Sequence, residues 1–169
     1  MISKIRAAVS DDRPFLWQML YYAAHMDESG ESLESARANP DLLPYVDDFG
    51  RPGDLGVIAI DSLSDTNIGA AWIRSMPANW PLYKFVDPGT PELAIAVAPA
   101  HIGLGVGSKM LAEVLASATG IHPAIALSVR ANNLAKALYE RMGFAVVAEI
   151  TNRVGGQSFI MRAALHPSR

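Results

Sequence analysis

The sequence predicts an α/β fold built on a mixed sheet, and two observations carry that prediction. The central part of the chain alternates strand, helix, strand, helix, strand from Glu92 to Ile150. Its two inner strands, "LAIAVA" and "AIALSV", set large side chains (Leu93, Ile95, Val97; Ile125, Leu127, Val129) between Ala or Ser. Strands of that kind have both faces covered, and the small positions let a helix or a ligand come close. A chain of 169 residues, half of them hydrophobic, can bury a full core, so one domain spanning residues 1–169 is expected.

The elements follow in order. Ile5–Val9 reads as a short strand, and Ser10–Asp11–Asp12 offers an N-cap to a helix with Phe15, Leu16, Met19, Leu20, Ala23 and Met26 on one side. The polar stretch 27–54, broken by Pro40, Pro44, Gly50, Pro52 and Gly53, reads as short helix and loop. "LGVIAID" and "IGAAWIRSM" flank the polar "SLSDTN" and so form a hairpin. A proline-rich loop, "PANWPLYKFVDPGTP", leads into strand Glu92–Ala98, helix Gly105–Ala118, strand Ala124–Arg130, helix Leu134–Met142, strand Phe144–Ile150 and a last strand near Ser158–Ala163.

Composition narrows the function classes. The net charge of −3 gives no basic footprint for nucleic acid. The chain has no cysteine, which removes disulfides, thiolate nucleophiles and zinc sites built on sulfur. No secretion-type apolar stretch opens the chain and no run of about 18 apolar residues suggests a membrane span, so a cytoplasmic protein without membrane partners is expected. His25, His101, His122 and His166 show no metal-ligand spacing, and no metal is expected.

Between the first inner strand and the next helix stand Gly103, Gly105 and Gly107. A turn whose amides point into one concavity and continue into a helix N-terminus binds phosphate through N–H groups and the helix dipole. A tight connection that needs positive φ explains the same glycines without a ligand. The P-loop is set aside because Ser108 precedes Lys109, and the dinucleotide fingerprint because Ser108 or Met110 falls where its third glycine belongs.

Val97 and Pro99 lead into Gly103, Gly105 and Gly107, and a second segment, "LSVRANNLAKALYERMGF", sets Asn133 six residues before Tyr139 and then Gly143–Phe144. In these two segments the chain resembles the GNAT superfamily of acetyl-CoA-dependent N-acetyltransferases, matching that family's strand-to-helix segment and its second hallmark. Ile102 departs from the pattern, standing where the family has Gln or Arg. The resemblance implies a mostly antiparallel mixed sheet of six to seven strands flanked by about four helices, and acetyl-CoA as cosubstrate. It implies that the loop of Ile102, Gly103, Leu104, Gly105, Val106, Gly107 and Ser108 holds the pyrophosphate, that the main chain of Ile95, Ala96 and Val97 pairs with the pantetheine arm, and that Asn133 contacts the cofactor. The arm would fill a splay between the strands around Val97 and Val129. Tyr139 would sit by the thioester sulfur.

These roles suit the chemistry. A tyrosine with a pKa near 10 holds its proton at neutral pH and can give it to a leaving thiolate; the other reading of Tyr139 is a packed helix aromatic. An alkylammonium is only about one part in a thousand free amine at pH 7, so a base is useful, and Glu92 stands where some family members keep one. The other reading of Glu92 is a solvated surface group at a strand start, and His101 is the substitute base. The resemblance implies a primary amine of a small molecule or protein as acceptor, and a monomer or homodimer is expected. A catalytically silent acyl-CoA-binding module is the alternative. Asp27, Glu28, Glu31 and Glu34 read as a solvated acidic face or an attractor for a cation, and Trp72, Trp80 and Tyr83 as an acceptor wall or a core cap.

Overall fold

The computed structural model describes residues 3–152 and 154–166. Seven strands form one sheet in the order β1-β2-β3-β4-β5-β7-β6: β1 (Ser3–Ala7), β2 (Leu55–Asp61), β3 (Thr66–Arg74), β4 (Glu92–Val97), β5 (Ala124–Arg130), β6 (Ala145–Thr151) and β7 (Gln157–Ala164). Every neighbouring pair is antiparallel except β4 and β5. Among the described residues five helices cover it: α1 (Arg13–Ala23), α2 (Leu33–Ala38), α3 (Leu43–Val46), α4 (Val106–Ala118) and α5 (Ala135–Arg141).

The alternation in the inner strands sorts their side chains as expected. Leu93, Ile95, Val97, Ile125, Leu127 and Val129 pack with Val106, Met110, Leu111 and Val114 of α4 and Tyr139 of α5 on one face. Ala94 and Ala96 face the other way, where Leu16, Trp17, Met19 and Leu20 of α1 approach them closely. A third cluster, Leu82, Val86, Ala126 and Ile160, lies under the proline-rich loop, which contains a 3-10 turn at Pro81–Lys84.

Two local expectations are corrected. The first strand is Ser3–Ala7 rather than Ile5–Val9, since Val9 has left the sheet and is exposed. Ser10–Asp12 forms a 3-10 turn instead of capping α1. Asp12 turns back, accepting from Val9 N–H at 2.8 Å and pairing with Arg6 at 2.8 Å, so its carboxylate fastens the strand end. Helix α1 then starts at Arg13 with Pro14 in its first turn and stops at Ala23, which leaves buried Met26 on the following turn.

One feature of the sheet makes room for a site. Strands β4 and β5 are in register only at Glu92 and Ala126. Beyond that point each stays with its other neighbour, β4 with β3 as far as Val97–Gly69 and β5 with β7 as far as Arg130–Ser158, so the two halves of the sheet diverge. The edge of β4 that faces the gap lacks a strand partner over residues 95–97 among the described residues.

Candidate active site

The gap opens into a cleft of about 1000 Å³ that passes the sheet between β4 and β5. One end is the glycine loop. Gly103 and Gly105 have φ of 84° and 81°, with Leu104 between them at ordinary negative φ, and such alternation turns successive N–H groups toward one side. Among the described residues, no amide from Gly103 to Ser108 donates a hydrogen bond within the protein; the first helical bond runs from Lys109 N–H to the Gly105 carbonyl at 3.2 Å. The loop therefore presents a row of free donors continuous with the positive end of α4.

The glycines have separate reasons. A Cβ at Gly103 or Gly105 would meet nothing within 4 Å, so the positive φ alone requires glycine there. Gly107 has no positive φ, and a Cβ there would make only an ordinary 3.9 Å contact with Val97. The protein itself does not require that glycine, and what Gly107 preserves is open space in the cleft.

Across the gap, α5 positions Tyr139. Asn133 starts the helix by accepting from Ala135 N–H through Oδ1 at 2.9 Å. The helix ends on Gly143, at φ 102°, with Phe144 N–H donating to the Tyr139 carbonyl at 3.0 Å and Gly143 N–H to that of Glu140 at 3.2 Å. This is the Schellman closure, and its accompanying apolar contact is the edge-to-face packing of Phe144 on Tyr139, with centroids 5.9 Å apart. The "MGF" segment thus fixes the tyrosine ring. Tyr139 is 7% exposed, its hydroxyl has no hydrogen-bond partner among the described residues, and burial pushes its pKa up to about 12.

Glu92 occupies the apex of the splay on the opposite face of the sheet, in line with Ala94 and Ala96. It is buried, not solvated. The Tyr45 hydroxyl donates to its Oε2, and Trp80 Nε1–H donates to its Oε1 at 2.8 Å. Burial raises the pKa of Glu92, partly offset by these two donors. Burial first and the Glu92 charge second hold the Tyr45 phenol well above its usual value. Two side chains of β3 fix Tyr45 in turn: Trp72 Nε1–H donates to its carbonyl at 2.8 Å, while Arg74 reaches the carbonyls of Pro44 and Asp47 on either side at 3.2 and 2.6 Å.

Of the residues expected to hold the cofactor, Ile95, Ala96, Val97, Ile102, Gly103, Gly105, Val106, Gly107, Ser108, Asn133 and Tyr139 line this one cleft, as does Glu92; Leu104 does not. The aromatic trio divides. Trp80 lines the cleft, Trp72 is fully buried core, and the Tyr83 hydroxyl ties its own loop by accepting from Met76 N–H at 2.9 Å. His101 lines the cleft with Nε2 at 3.8 Å from Asp61, and its buried Nδ1 has no partner among the described residues. Asp27 and Glu28 reach the cleft wall, and His25 pairs with Glu28. Tyr45 was not expected at the site. It lies in a segment without a motif, and its partner Glu92 is 47 residues away.

Comparison with known proteins agrees with this geometry. A family model described as an acetyltransferase (GNAT) domain matches residues 55–146, which carry the hairpin, the glycine loop and α5. No curated protein matches the chain in sequence. Among solved structures, it is similar to yncA from Salmonella typhimurium, solved with its cofactor acetyl-CoA (TM-score 0.66, 19% identity, covering 100% of this chain and 97% of that one). It is also similar to a spermidine N-acetyltransferase SpeG chimera from Vibrio cholerae and hSSAT (TM-score 0.63, 19% identity, 96% and 95% covered) and to AAC(6')-Ib in complex with paromomycin and acetyl-CoA (TM-score 0.61, 21% identity, 97% and 94% covered). These likenesses extend over the whole fold, and the family match covers the segments that build the cleft: the chain belongs to the GNAT acetyltransferase family.

Proposed function

We propose that the protein transfers the acetyl group of acetyl-CoA to a primary amine by direct attack, with Tyr139 as general acid and Glu92 as the base for the amine proton. GNAT enzymes use acetyl-CoA as cosubstrate, and the residues of the cleft suit it. The free amides from Gly103 to Ser108 are donors without acceptors, matched to a pyrophosphate. The unpaired edge of β4 at Ile95–Val97 suits an amide-bearing arm. Asn133 spends its side-chain oxygen on α5, which leaves its amide N–H groups for the cofactor. Bound acetyl-CoA supplies an activated acyl group and a thiolate leaving group.

The observation that carries the reading is the Tyr139 hydroxyl, held by its helix closure, without a partner among the described residues, and kept protonated far above neutral pH by burial. A phenol in that state carries its proton at neutral pH, where it is available to a leaving thiolate. Glu92, on the other side of the splay, is a carboxylate whose raised pKa brings it nearer the operating range of a base. Tyr139→Phe tests the assignment: it keeps the ring and its contact with Phe144, so CoA binding should be unchanged while turnover, followed as CoA release, falls by about 10- to 1000-fold. Unchanged turnover would make Tyr139 a packing residue.

A further inference from the structure

At its deep end the cleft combines a charge without a countercharge and an apolar wall without a partner. Glu92 accepts two hydrogen bonds, both from neutral donors, and forms no salt bridge among the described residues. Arg74, its cross-strand neighbour on β3, is committed to Asp54 at 2.9 Å and to the carbonyls around Tyr45. In its charged form such a carboxylate lacks a countercharge, and a cation arriving from outside would supply it. Around it stand Tyr45 and Trp80, packed edge to face with centroids 5.6 Å apart and both partly open to the cleft. Phe85 also lines the cleft, 42% exposed, and belongs to none of the three core clusters.

Charge elsewhere on the wall limits what else the ligand can carry. Among the described lining residues the only Lys or Arg is Arg130. It lies four residues along β5 from Ala126, the residue in register with Glu92, or roughly 13 Å at the rise of a strand. A carboxylate on the carbon next to the amine cannot reach it while the amine meets Glu92, and would be set against the buried Glu92 carboxylate.

We infer that the acceptor is a primary amine on a compact apolar body with no carboxylate on the adjacent carbon, its ammonium drawn to Glu92 and its body against Tyr45, Trp80 and Phe85. This rests on the acyl-transfer reading for its chemistry, but the binding preference stands apart from turnover. 2-Phenylethylamine and phenylalanine differ only in that carboxylate. In calorimetric titrations the first should bind at least about 30-fold more tightly, and kcat/KM for CoA release should favour it by a similar factor. Glu92→Gln should bring the two affinities within about threefold of each other, and Phe85→Ala should raise the KM for 2-phenylethylamine and leave CoA binding unchanged. Equal or tighter binding of phenylalanine overturns the inference, as does binding of neither amine. Selective binding of 2-phenylethylamine without CoA release would uphold it and overturn the acyl-transfer reading instead, while a parallel titration with CoA reports on the cofactor cleft alone.

Discussion

Replacing Glu92 by Gln separates a base from a structural carboxylate, because the substitution keeps the hydrogen bonds. The Gln carbonyl can accept from Trp80 Nε1–H, 2.8 Å away in the wild type, and its amide can donate to the Tyr45 oxygen, since a hydroxyl serves as either partner. Only the charge and the basicity are lost. An alkylammonium with a pKa near 10 is about one part in a thousand free amine at pH 7, a deficit of roughly 4 kcal/mol. A positioned base typically contributes 10²- to 10⁴-fold, so Glu92→Gln should lower kcat/KM about 100-fold at pH 7. As pH approaches 10 the amine loses its proton unaided and the defect should shrink to about fivefold or less. The wild type should also show an acid limb above the ordinary glutamate value, because burial raises the Glu92 pKa, and the variant should lack it. Initial rates of CoA release from pH 4 to 10, with 2-phenylethylamine as acceptor, measure both. Stability gives an independent readout. A carboxyl whose folded pKa is raised contributes most below its unfolded value and loses that contribution as pH rises through the folded one, so the melting temperature of the variant relative to wild type should be higher at pH 7 than at pH 4. A catalytic defect of constant size from pH 6 to 10 would refute the base assignment.

Three other outcomes are expected. The difference between about 12 and the ordinary phenol value of 10 corresponds to about 2.7 kcal/mol, so wild type should lose up to that much stability, relative to Tyr139→Phe, as pH rises from 10 through 12, and denaturant titrations over that range check it. Gly107→Ala should stabilise α4 by about 0.5–1 kcal/mol yet weaken CoA binding, because the protein does not need this glycine and the ligand does; equal CoA affinity would count against the cradle. Ile102→Arg, at an exposed position lining the cleft, should tighten CoA binding about tenfold, or about 1.4 kcal/mol, with the gain shrinking as salt is raised in calorimetric titrations.

What the sequence discloses, and what it hides, follows from the range of each interaction. The inner strands were legible because alternation is local, and Ala124–Arg130 falls where the pattern places it. The glycine loop was legible because a positive φ excludes other side chains at Gly103 and Gly105. Tyr139 was legible because its cap, its ring contact and its helix all lie within the segment Asn133–Phe144. The start of α1 was misread because Asp12, a good capping residue by type, was drawn away by Arg6 on β1. Glu92 was left between two readings because nothing near it in the chain roofs it. Its burial comes from Tyr45, and from a loop whose Trp80 could equally have packed like Trp72.

The same distinction explains how the cleft divides its work. The end proposed to hold the cofactor is built from main chain, as amides without acceptors among the described residues and a strand edge without a partner there, and both depend on backbone shape rather than on the side chain at Ile102. The acceptor end is built from side chains brought together over long separations, and its geometry hangs on β3. Trp72 and Arg74, two residues apart and on one face of that strand, hold the backbone on both sides of Tyr45, and Tyr45 in turn holds Glu92. Arg74 is 1% exposed and bonded to Asp54, so its side chain has one available direction. An altered acceptor preference can therefore arise by changing residues 40–54 or 80–86 while the main-chain cradle stays as it is. On the proposed reading the acceptor would be selected at the end lined by Tyr45, Trp80 and Glu92, and the splay between β4 and β5 lets one cleft be lined by Glu92 on one face of the sheet and Tyr139 on the other.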